Sequence, residues 1–206
     1  MTDFNFLPIE PPRMGNPNEE VYARRQQEFA RTASPIYQKK GLFKKRSAPV
    51  MAAAGDNPPR FSVDARLPNP AILTCNEPVP LRILVRKLSR SSDILFLQLL
   101  QIELISYTHI QAHDLNRRET QSTVILSLSN MNVALGTGYD KVGKEYQIDP
   151  SLWDRLPLPN SIAPSFETCN IRRTYELDIR VGLCRGDIGA MQVSRISRKF
   201  FIPHLP

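Results

Sequence analysis

From Ile171 to Leu183 apolar and polar residues alternate with hardly a break. Ile171, Tyr175, Leu177, Ile179, Val181 and Leu183 hold one parity, and Arg172, Thr174, Glu176, Asp178 and Arg180 hold the other. A period of two over this length predicts a strand with one buried and one wet face, the habit of antiparallel sheets; parallel α/β strands are apolar on both faces. Arg173 is the one mismatch. Near the strand's start, its stem can cover apolar surface while the guanidinium reaches water.

The same reading predicts strands near Phe61–Ala65, Leu81–Leu88, Ile94–Thr108, Thr120–Leu128, Thr168–Leu183 and Gln192–Ile202. In the third, Gln98 falls on one parity and Gln101 and Glu103 on the other, which predicts a β-bulge near Leu99-Leu100. Turn residues cluster at Asn76-Glu77-Pro78, Ser89 to Asp93, Asp114-Leu115-Asn116, Gly136-Thr137-Gly138 and Gly186-Asp187. The stretch from Trp153 to Pro164 contains three prolines and reads as an extended loop crossing between sheets, with Trp153 packed over one end. Six strands without helical crossovers predict an all-β fold, an immunoglobulin-like antiparallel β-sandwich over residues 61–203.

Residues 1–60 are rich in proline and charge and poor in β-branched side chains, and read as a mostly disordered, linker-like segment. Within it, Asn18 to Ala33 is the one candidate helix, with Glu19 and Glu20 in its first turn and Arg24, Arg25 and Arg31 later, as the helix dipole favours. Its apolar positions, Val21, Tyr22 and Phe29, are too few for a stable isolated helix, which predicts fraying without a partner.

Charge adds a second theme. The chain carries 27 Lys and Arg against 20 Asp and Glu, a formal net charge of +7. The densest cluster is Lys39, Lys40, Lys44, Lys45 and Arg46 around Leu42 and Phe43, which reads either as a solvated basic linker or as a site for phosphates and a lipid interface. Three cysteines without CxxC spacing, no signal-peptide pattern and no apolar run near ~20 residues predict a soluble cytoplasmic protein with reduced thiols.

No catalytic set, metal site or cofactor site emerges. His109 and His113 are four apart, but on a strand such residues stand ~13 Å apart, too far to share an ion. Cys169 at a strand start reads as a small core residue. Gly136-Thr137-Gly138 lacks the following helix and lysine of a phosphate loop. Glu176 and Asp178 read as solvent-facing, without the burial that tunes a carboxyl for catalysis.

Four blocks in order, LPNPAILTCNEPVPLRILVRKL (67–88), FLQLLQIELISYTHIQAHDL (96–115), GKEYQIDPSLWDRLPLPNSIAPSFETCNI (143–171) and RRTYELDIRVGL (172–183), resemble the carboxy-terminal part of fungal arrestin-like (α-arrestin) proteins. The resemblance implies an arrestin domain, one of the two sandwiches of full-length members, so that the chain is either a truncated product or a one-domain member. It also implies a non-enzymatic adaptor for cytoplasmic tails of membrane or signalling proteins in trafficking, endocytosis or ubiquitin-linked sorting, recruited from the cytoplasm to membranes. Many such proteins recruit a ubiquitin ligase through PPxY motifs, and none is present here: Ser34-Pro35-Ile36-Tyr37 lacks the first proline and Glu10-Pro11-Pro12-Arg13-Met14 the tyrosine. The expected partner contacts are Arg172, Arg173 and the Lys39 to Arg46 cluster, together with an exposed edge strand. The rival reading is a binder of nucleic acid or anionic lipid driven by that cluster, which salt would weaken steeply.

Overall fold

The computed structural model describes residues 19–29, 59–90, 94–137, 139–186 and 188–203. The Lys39 to Arg46 cluster lies outside the described residues. Two antiparallel sheets face each other as a β-sandwich. The first runs β1 (Glu20–Glu28), β2 (Arg60–Pro68), β3 (Arg82–Lys87) and β6 (Glu145–Gln147). The second runs β5 (Leu115–Leu135), β4 (Leu95–Ala112) and β8 (Ile171–Arg185), and on the far edge of β8 two strands share the ladder: β7 (Phe166–Glu167) at its start and β9 (Ile188–Phe200) along the rest.

Alternation decides which side chains meet between the sheets. Phe61, Val63, Ala65 and Leu67 of β2 and Ile83 and Val85 of β3 face Leu100, Ile102 and Leu104 of β4, Leu177, Ile179, Val181 and Leu183 of β8, and Ile196 of β9, forming one contiguous core. Leu84, which spoils the alternation of β3, is buried on the outer face opposite Asp64, its cross-strand partner. The bulge on β4 is present one residue earlier than expected. Leu97 pairs with Leu183 and Leu99 with Gly182, so Gln98 is the extra residue that exchanges the faces of β4.

The expected helix over Asn18 to Ala33 is instead β1, a nine-residue strand in full register with β2. Val21 and Ala23 point inward, Tyr22 and Arg24 outward, and the ladder to β2 satisfies backbone groups that a helix with so few apolar positions would leave without packing support. The sandwich therefore begins within the segment expected to be linker. The strand expected over Thr120–Leu128 extends at both ends into the 21-residue β5, and the turn before it falls at His113 and Asp114, where His113 adopts a left-handed backbone (φ 50°).

After β6 the chain leaves the first sheet through a short 3-10 turn, Pro150–Leu152, and reaches the second at β7, as the proline-rich stretch predicts. Trp153 follows the turn and is 1% exposed, anchoring this crossing in the core. Hydrogen bonds from Asn76 N–H to the Leu158 carbonyl and from Leu158 N–H to that of Glu77 tie the crossing to the loop before β3. Among the described residues no helix is long and apolar enough to cross a membrane, and no three metal-ligating side chains converge.

Candidate functional site

Most charged side chains on the outer faces are consumed by one another. Over the first sheet, Arg24 and Arg66 close on Asp64, Arg82 and Arg66 on Glu20, and Arg86 and Arg66 on Glu145. Burial pushes the Asp64 carboxyl up, but hydrogen bonds and charge from Arg24 and Arg66 outweigh it and hold its pKa below the usual range. Over the second sheet, Asp178 is buried rather than solvent-facing as expected: Arg195 Nε donates to it at 2.8 Å, Arg180 Nε at 3.2 Å and Ser197 Oγ at 3.3 Å. Arg180 comes from two residues along the same strand, but Arg195 and Ser197 are brought to this carboxylate from β9, which its position in the sequence alone does not show.

One region differs. At the far end of the second sheet, on its outer face, a cleft of about 410 Å³ is lined by residues of five strands and one turn. The pleat explains its composition, since His109 and Gln111 of β4, Arg172 and Thr174 of β8, Asn116 of β5 and Lys199 of β9 share the outer parity. His109 stands directly opposite Arg172, and Gln111 opposite Asn116. The wall is the β7–β8 turn. There Thr168 Oγ1 accepts from Ile171 N–H at 2.9 Å, and the Asn170 carbonyl accepts from Gln111 N–H at 2.7 Å, clamping the turn to β4.

The cleft's donors are largely unspent. The side chains of His109, Gln111, Asn116, Thr174 and Lys199 make no hydrogen bond or ion pair with another described residue. Arg172 has only a loose pair with Glu167, Nε to Oε2 3.5 Å, both well exposed. Two permanent cations face one carboxylate, with several neutral donors beside them. Such a lining suits an oxyanion more than a cation or an apolar group.

The two arginines predicted as partner contacts part company. Arg172 lines the cleft. Arg173 takes the inner parity, half-buried, with Nε donating to Thr108 Oγ1 directly across on β4 at 3.1 Å. Its place on the apolar parity, which the alternation marked as a mismatch, is thus kept in the structure. Cys169, expected in the core, is exposed on the cleft wall, because the strand starts two residues later and Cys169 falls in the turn. His109, Lys199 and Asn116 were not predicted as contacts. His109 and Asn116 fall outside the strands expected from the sequence, and the convergence of all three depends on strand length and register.

The cleft reaches β5 through Asn116, and among the described residues β5 pairs only with β4. Its Thr120 to Leu135 stretch carries no charged residue, and Val124 and Val133 are exposed. That stretch holds no lysine or proline, the usual guards of an edge strand, whereas Arg117, Arg118 and Glu119 charge the part of β5 next to Asn116. The chain matches no protein-family model and no curated protein.

Proposed function

We propose that this chain is an arrestin-like, non-enzymatic adaptor that takes up an extended acidic segment of a partner protein, such as the cytoplasmic tail of a membrane protein, in the cleft at the end of its second sheet. The carrying observation is the contrast between charge networks closed on themselves elsewhere and the unspent donors of His109, Gln111, Asn116, Arg172, Thr174 and Lys199. Carboxylates of such a segment would take charge-assisted hydrogen bonds from Arg172 and Lys199, and its backbone would pair along the edge of β5, which is uncharged from Thr120 onward. Work in trafficking, endocytosis or ubiquitin-linked sorting, and recruitment from cytoplasm to membranes, belong to this reading through the sequence resemblance alone.

The test is binding of a fluorescent acidic peptide to the full chain. Arg172→Glu with Lys199→Glu weakens it at least tenfold, whereas neutralising Lys39, Lys40, Lys44, Lys45 and Arg46 together leaves it within about twofold. The reverse result, loss on neutralising the cluster and indifference to the cleft, overturns the proposal in favour of the rival binder of nucleic acid or anionic lipid.

A further inference from the structure

β1 is an unusual member of its sheet. Of its four inward positions, Val21 and Ala23 are partly buried, Arg25 is exposed and Gln27 reaches sideways, Nε2 donating to the Val193 carbonyl of β9 at 3.0 Å. On β3, by contrast, Ile83 and Val85 are wholly buried. β1 adds little to the core. It is held instead by its main-chain ladder to β2, by the two-armed grip of Arg24 on Asp64, by Glu20 on Arg82, and by Phe29, which packs on Phe61 at 5.0 Å between ring centroids. A ladder supplying affinity and a few side-chain anchors supplying selectivity is how a sheet edge recognises a peptide.

Thirty-one residues, 29–59, separate this strand from β2 in sequence, although the two strands' flanks meet where Phe29 N–H donates to the Pro59 carbonyl at 3.0 Å. Because β1 and β2 belong to one chain, their pairing is intramolecular, and a competing segment must exceed the effective concentration this gives. An occupant of that kind excludes weak competitors and yields to strong ones.

We propose that the β2 edge is an acceptor site for an extended, arginine-bearing segment of another protein, filled in the resting chain by its own β1 as a displaceable stand-in. The occupant's chemistry is read from β1: an arginine in register with Asp64, a carboxylate four residues earlier facing Arg82, and an aromatic residue five later for Phe61. Asp64 is the discriminating group. It is 2% exposed, so an occupant without that arginine leaves a covered carboxylate with only the longer contact to Arg66, at 3.5 Å. This site lies on the opposite sheet from the cleft, so the two proposals stand or fall separately.

The probe is a labelled peptide of residues 19–29 titrated into the full chain. Arg24→Ala in the chain, which loosens the resident strand, is expected to raise affinity for the wild-type peptide at least tenfold over the unmodified chain. The peptide bearing Arg24→Ala should bind neither chain, and adding Asp64→Asn to the loosened chain should remove the gain. Equal affinity for both chains, or absence of binding to either, overturns the proposal. Amide exchange of the unmodified chain is the second measurement, independent of any variant's folding. Exchange over 20–28 at least tenfold faster than over 82–87 is required, and equally slow exchange in both overturns the proposal.

Discussion

Arg24 grips Asp64 with two parallel hydrogen bonds, Nε to Oδ1 and Nη2 to Oδ2, each 2.7 Å. The carboxylate is almost wholly covered, while a third of the Arg24 side chain remains in water. Removing Arg24 strands a buried charge with its weaker partner Arg66. Because the exposed guanidinium is screened, the cost falls below that of a fully buried pair, at about 1–3 kcal/mol for Arg24→Ala. Urea unfolding measures it, and a double-mutant cycle with Asp64→Asn should show a coupling of at least about 0.5 kcal/mol.

Acid should act through the same carboxylate. Its pKa is depressed in the folded chain, so the unfolded chain binds the proton more readily. The stability it contributes is therefore complete above the unfolded value near ~4 and is lost as pH falls through the folded one. Asp140 behaves alike, held far below the carboxylate range first by Lys144 and then by the Tyr146 hydroxyl and Thr137. Thermal midpoints should be flat in pH above about 5 and fall below about 4, with Asp64→Asn flattening part of that fall.

Gly136 is irreplaceable for two reasons. Its φ of 77° suits glycine, and a Cβ there would sit 2.3 Å from the Tyr146 ring, whose hydroxyl donates to Asp140 at 2.6 Å. Gly136→Ala should cost at least about 2 kcal/mol. Tyr146→Phe, which keeps the ring and loses only the hydrogen bond, should cost about 1 kcal/mol. Chemical denaturation separates the two.

Trp153 anchors the crossing between sheets from a fully buried position. Trp153→Ala should cost about 3–5 kcal/mol through lost burial and the cavity left behind. The prediction is read as a lowered urea midpoint with the denaturant slope unchanged.

What the sequence determined by itself was the set of faces. The alternation in 171–183, the bulge implied by Gln98 against Gln101 and Glu103, and the proline-rich crossing after Trp153 all appear in the structure, because side-chain period and missing N–H groups are local properties of the chain. Even Arg173 announced itself as a misfit. The structure alone decided which outer-face residues meet. In sequence β1 resembles a helix because Glu19, Glu20, Arg24 and Arg25 match helix-terminal preferences, and only pairing with β2, some forty residues away, makes the strand the lower free-energy choice. The alternation alone implies a solvated Asp178, since the arginine that covers it from β9 is brought there by register. The cleft exists because five strands from three separate stretches of the chain meet beside one turn, and no local pattern in any stretch records where the others lie.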